Sequence, residues 1–264
     1  VKRTHLKQTR QQRLARAKFA LPSFVTLLSI ACGFGSIVLS VDNARIGDPS
    51  DYRMAAILLV MAGVFDALDG FVARLTNTSS DFGMQLDSIA DVMNFGCAPA
   101  MLLYCYGFVQ LGEGHPTFLR AGGLACFIFV ACGALRLARF NVNVGRTDPR
   151  YFVGMPITAG AACVASVVVA WPHPPVSMMQ SYLVMLLMVA VGTLMVSTVR
   201  FPSSKQRLSP LLYAIGAVGL VLLVFLQERF FVLFFVLYVS ATLLLNIGWQ
   251  MGWRGVPQPE VFED

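Results

Sequence analysis

Charge is scarce in this chain. Only 13% of its 264 residues are Asp, Glu, Lys or Arg, while 56% are hydrophobic, and the mean hydropathy is +0.67. A soluble fold of this length needs far more polar surface, so the composition points to a polytopic membrane protein. Histidine is nearly missing: His5, His115 and His173 fall in the leader or in connecting segments. No Ser-His or Cys-His pairing therefore stands ready to activate a covalent nucleophile. The six cysteines (Cys32, Cys97, Cys105, Cys126, Cys132 and Cys163) lie in apolar stretches without C-x-x-C spacing. That excludes a zinc or redox motif and leaves small buried side chains. The basic leader lacks interleaved aromatics for stacking bases, so the net charge of +6 is not read as nucleic-acid binding. No internal repeat of the kind that builds many transporters is visible either.

What the chain has is long apolar runs. Eight are of membrane length, at roughly 20–41, 52–75, 83–110, 119–139, 152–171, 177–199, 209–226 and 230–250. The breaks fall at turn-forming segments such as Asp48-Pro49-Ser50 and Trp171-Pro172-His173-Pro174-Pro175. The first run is longer than a signal-peptide core and lacks a small-residue cleavage site, so it is read as a retained helix. The expectation is an all-α polytopic membrane protein of about eight transmembrane helices, led by a basic juxtamembrane helix over 1–19 and closed by a short tail over 251–264. Seven Lys or Arg residues in that leader suit a helix lying on anionic lipid, at about 1 kcal/mol per basic residue. Of the twenty Lys and Arg, only Arg45, Arg53, Arg120 and Arg229 fall at ends opposite the leader. The positive-inside rule then places the N-terminus in the cytosol, with the chain in the cell membrane.

Against this background four acids stand out. Asp66 and Asp69 are three apart, Asp87 and Asp91 four apart, so each pair shares one face of its helix. One carboxylate at a membrane helix centre costs about 2.5–3.5 kcal/mol. Four unpaired ones would cost roughly 10 kcal/mol, as much as the whole stability of many proteins. A cation must neutralise them. Oxygen ligands at this density suit Mg²⁺ or Mn²⁺, and two such ions form a clamp for displacement at phosphorus. Gly70 and Gly83, one turn from Asp66 and Asp87, open the backbone to a bulky ligand. Arg74, near the cytosolic end, suits a phosphate.

The register D-x2-D-G-x2-A-R-x8-G-x3-D-x3-D, supplied by Asp66, Asp69, Gly70, Ala73, Arg74, Gly83, Asp87 and Asp91, resembles in every position the signature of the CDP-alcohol phosphotransferase family. The resemblance implies a six-helix catalytic core over about 20–200, with two further helices over 201–250, and a homodimer. It also implies two divalent cations held by Asp66, Asp69, Asp87 and Asp91. By the same resemblance Asp91 is the general base, and Gly70, Ala73, Arg74 and Gly83 contact CDP together with Thr26 and Ser23. The reaction implied is transfer of a phosphoryl-linked group from a CDP-activated lipid to an alcohol.

The acceptor is read from the segment after the motif. Arg136 and Arg139 share one helix face and are followed by Asn141. Two guanidiniums and an amide suit a small anionic acceptor, a carboxylate or a phosphate. The wording Arg136-Leu-Ala-Arg139-Phe140-Asn141, followed by Tyr151-Phe152-Val153-Gly154-Met155-Pro156, looks like the phosphatidylserine synthase branch. That likeness implies CDP-diacylglycerol and L-serine as substrates. With no activated nucleophile near the motif, attack is expected to be direct rather than through a covalent enzyme. Glycerol 3-phosphate, inositol phosphate and choline are the rival acceptors, though choline calls for an aromatic or acidic cage. From another class, the aspartates would suit a transported cation. One departure is visible: Ser23 and Ser29 stand where the branch usually carries asparagine.

Overall fold

The computed structural model describes residues 2–46, 49–76, 81–143, 151–202 and 230–251. In chain order the elements are α1 (Lys2–Ile46), α2 (Pro49–Thr76), α3 (Asp81–Asp91), a π-helical turn (Val92–Cys97), α4 (Ala98–Tyr104) and a second π-helical turn (Cys105–Val109). They continue with α5 (Pro116–Val142), β1 (Tyr151–Val153), α6 (Ile157–Ala170), α7 (Met178–Val196), β2 (Arg200–Pro202) and α8 (Phe230–Gln250). From α3 to the second π turn the chain is one rod.

Five stretches among the described residues are long and apolar enough to cross a bilayer: Pro22–Ile46, Tyr52–Ala73, Phe82–Val109, Pro116–Val142 and Met178–Val196. Their outward faces are oily. Phe34, Phe127 and Leu186 are 57%, 66% and 64% exposed, which suits lipid and not water. The fold class is thus a helical membrane protein. The expected span over 209–226 lies outside the described residues.

Two features differ from the sequence expectation. The run read as a helix from 152 starts only at Ile157, because Tyr151–Val153 pairs antiparallel with Arg200–Pro202. Gly154 follows at φ +79°, and Pro156, which has no N–H to donate, precedes the first helical turn. The helix left over has 14 residues, about 21 Å at the usual rise and shorter than a bilayer core of about 30 Å.

The second feature is the pair of π turns in the rod. Irregular backbone inside a bilayer must find donors from the protein itself. Here Tyr52 Oη donates to the Cys105 carbonyl at 3.0 Å and Ser181 Oγ to the Gly107 carbonyl at 2.6 Å. The rod sits centrally, its Phe95, Leu102, Leu103 and Phe108 all buried. Small residues let the helices close on one another, as membrane helices need. A Cβ at Gly122 would come within 2.7 Å of the Phe108 ring, and one at Gly192 within 3.3 Å of the Phe129 backbone.

Candidate active site

Alternation of the helices brings five chain segments to one end of the bundle: the start of α1's apolar part, the end of α2, the start of the α3 rod, the end of α5 and the start of α6. Asp66 and Asp69 arrive on α2, Asp87 and Asp91 on α3. One carboxylate oxygen from each of Asp66, Asp69 and Asp87 lies within 4.8 Å of the other two. Asp69 is only 5% exposed, and Thr26 Oγ1 from α1 donates to its Oδ2 at 2.7 Å. The side chain of Asp91 hydrogen-bonds with that of Asp66, while its other oxygen, Oδ1, is buried without a hydrogen-bond partner among the described residues. Among the described residues no cationic side chain pairs with Asp66, Asp69 or Asp87. Three convergent carboxylates and an orphaned oxygen beside them are the donor set of a hard divalent cation. The chain's residues fit a metal.

Asp91 also faces the other way. It lines a cavity of about 540 Å³ with Arg136, Phe140, Phe152, Ile157 and residues of α8. Arg136 is 7% exposed, and its guanidinium lies 5.1 Å from the centroid of Phe140 and 5.8 Å from that of Phe152. The aromatic faces hold the cation in place by cation–π attraction. Its Nε has no hydrogen-bond partner among the described residues. The cavity therefore offers a buried positive group and, opposite it, a carboxylate shared with the acidic cluster.

The other sequence-derived site residues are divided. Arg139 does not join Arg136 on the cavity wall. Its guanidinium donates to the carbonyls of Val196 (3.0 Å), Val153 (2.9 Å), Ser197 (3.1 Å) and Met195 (3.3 Å). Helix ends leave carbonyls without intrahelical donors, and a cation there is favourable. Asn141 turns toward α3, donating to Ser88 Oγ at 3.0 Å, and is likewise off the cavity wall. Ser23 lies one turn before Thr26, and Gly70, Ala73 and Gly83 flank the acids on α2 and α3. Arg74 is on the last turns of α2, with its side chain outside the described set.

Several residues escaped sequence reasoning. Asn94, in the first π turn, donates from Nδ2 to Ser29 Oγ at 2.8 Å, and Ser29 donates to the Ala62 carbonyl at 2.8 Å. The serine met where an asparagine was expected is thus served by an amide from the rod. A Cβ at Gly33 would overlap Asn94 Oδ1, so that glycine is what lets the amide in. A fully buried asparagine in an apolar run was the available signal. Of the cavity aromatics, Phe140 and Phe152 stood in the segments read for the acceptor without a role of their own, and for Phe235 and Tyr238 there was no signal.

Fold and site together define a membrane-embedded enzyme with a cluster of acids that could hold a metal ion and an adjoining pocket that carries a buried arginine. The sequence model of CDP-alcohol phosphatidyltransferase matches residues 19–199, and the chain belongs to that family. Among its relatives, the CDP-diacylglycerol–serine O-phosphatidyltransferase of Helicobacter pylori is 37% identical over 191 residues, covering 71% of this chain and 74% of that protein. A protein of the same name from Methanocaldococcus jannaschii is 33% identical over 202 residues, 76% of this chain and 83% of the other. An archaetidylserine synthase of Methanothermobacter thermautotrophicus is 34% identical over 185 residues, 69% and 70% of the two chains.

Proposed function

We propose that the protein transfers the phosphatidyl group of CDP-diacylglycerol to the hydroxyl of L-serine, releasing CMP. The observation that carries this is Asp91, which belongs at once to the acidic cluster and to the cavity that holds Arg136. A base so placed reaches a proton on one side and a diphosphate on the other. The serine names of the relatives support the choice of acceptor.

Asp66, Asp69, Asp87 and Asp91 would hold two divalent ions, Mg²⁺ or Mn²⁺. Bound there, they supply charge neutralisation for the diphosphate and its leaving oxygen. The chain's own residues do the rest. Thr26 fixes the carboxylate of Asp69, and Gly70, Ala73, Gly83, Ser23 and Arg74 border the CDP moiety. Arg136, seated over the neighbouring rings of Phe140 and Phe152, pairs with the serine carboxylate. Asp91 accepts the serine hydroxyl proton as its oxygen bonds to the phosphorus bearing diacylglycerol, and the bond from that phosphorus to CMP breaks. Attack is direct: His115 and His173 lie in the segments before α5 and after α6, away from this end of the bundle. Choline is disfavoured, since Phe140 and Phe152 already receive a guanidinium.

Around this centre we place a six-helix core over 20–200, two further helices including 209–226, and a cytosolic tail. The basic segment 1–19 lies on anionic lipid, the site faces the cytosol across the cell membrane, and the molecule is a homodimer. Purified protein supplied with CDP-diacylglycerol and one alcohol at a time tests the reading. Serine should release CMP and yield phosphatidylserine. A higher kcat/KM with glycerol 3-phosphate, inositol phosphate or choline would replace serine by that acceptor.

A further inference from the structure

α8 lies beyond residues 19–199, the stretch shared with the family, and the reaction above makes no use of it. Yet Phe235 and Tyr238 of α8 line the same cavity as Asp91 and Arg136. They are one turn apart, so one face of the helix supplies both.

That face is held by an uncommon device. Asn246, two turns further along the same stripe, accepts the Arg200 N–H on Oδ1 at 2.9 Å and donates from Nδ2 to the Arg200 carbonyl at 2.9 Å. Arg200 is in β2, β2 pairs with β1, and β1 carries the Phe152 that stacks on Arg136. Tyr238 packs in turn on Phe201 of β2, with ring centroids 5.8 Å apart. An amide in an apolar helix is costly unless both its groups are bonded, and here both are bonded to a single residue of the strand beside the cavity. A helix serving only as a lipid anchor needs no such clamp.

We propose that α8 closes the acceptor side of the active site. Phe235 and Tyr238 are the wall that presses the acceptor alcohol toward Arg136 and Asp91, and Asn246 is the positioning residue that holds this wall in register. The proposal rests on the reading of the cavity as the acceptor pocket. The wall also keeps water from Asp91, so that the acceptor hydroxyl and not water attacks the phosphorus.

The experiment uses the full chain in lipid nanodiscs containing CDP-diacylglycerol, with KM measured separately for serine and for the CDP-lipid. Tyr238→Ala and Asn246→Ala should raise KM for serine about tenfold, which corresponds to about 1.4 kcal/mol, with KM for the CDP-lipid within twofold of wild type. CMP release without serine should rise relative to transfer, because water then competes. Tyr238→Phe, which keeps the ring, should restore the serine KM. Phe235→Ala leaves the Asn246 clamp intact and gives a second variant should Asn246→Ala fail to fold. An unchanged serine KM, or an equal rise for both substrates, overturns the proposal. If wild type prefers another alcohol, the serine reading falls while the same selective rise in that alcohol's KM still supports the wall.

Discussion

Arg136 and Arg139 are one turn apart on α5, yet their surroundings give them different work. Arg136 sits over two aromatic rings in a cavity, its Nε without a partner among the described residues, whereas Arg139 is bonded to four backbone carbonyls. Arg136→Ala should therefore raise KM for serine by about 10–100-fold, as for the loss of one charged hydrogen bond of about 1.5–3 kcal/mol, while thermal stability stays near wild type. Arg139→Ala should act the other way. It removes charge-assisted hydrogen bonds to four carbonyls, two of them exposed and two part-buried, so the melting temperature in detergent falls, and lysine does not rescue a fork-shaped guanidinium. Equal effects on KM and melting in the two variants would refute this division. The sequence placed both arginines at the site but could not divide them, because the carbonyls that engage Arg139 lie 14 to 58 positions away. The four aspartates were legible because their arrangement is local, set by three- and four-residue spacings on two helices. Thr26 was legible only as a position, since its partner Asp69 lies 43 residues on.

Apolar runs announce helices, and at this scale much of the fold could be read from sequence: the apolar part of α1, α2, the α3 rod, α5 and α7 follow the expected spans. The strand pair could not be, because a three-residue strand is too short to show a period of two. The π turns were equally hidden, since an extra residue in a helical turn leaves the apolar pattern almost unchanged. The strand pair is also where the ends of α5, α6 and α7 are joined. Gly154 makes the junction: its N–H donates to the Val199 carbonyl at 2.8 Å, and a Cβ there would overlap the Met195 carbonyl and come within 2.7 Å of Arg139 Nη2. Gly154→Ala should cost about 1–2 kcal/mol for the left-handed backbone alone, and more for displacing Arg139. A thermal melt checks the loss of stability. The activity lost with it should be regained for serine more slowly than for CDP-lipid binding as temperature is lowered, because β1 carries the Phe152 that holds Arg136. A variant as stable as wild type would show that the junction tolerates a side chain and that Gly154 is dispensable.

For the whole molecule, the governing fact is an acidic cluster inside an apolar body. Asp66, Asp69, Asp87 and Asp91 are held together at one end of a bundle of apolar helices. Such a cluster is folded at a cost unless a cation joins it. Binding to the folded state alone stabilises by RT ln(1 + [L]/Kd), which is about 2.7 kcal/mol when the cation is at a hundred times its Kd. Adding Mg²⁺ or Mn²⁺ to protein stripped with EDTA should therefore raise the melting temperature in a concentration-dependent way, before any substrate is present. CMP release should vanish in EDTA and return with the same ions. Asp66→Asn removes one charge and one ligand. The apo protein should then melt higher than the wild-type apo protein, the cation-dependent rise should shrink, and activity should be lost. These three signs belong together, because the repulsion relieved in the empty cluster is the same repulsion the cation relieves when bound. A melting temperature indifferent to divalent cations, in a protein that still turns over, would mean that the acids are neutralised by some other means. The site would then have to work without the ions assigned to it.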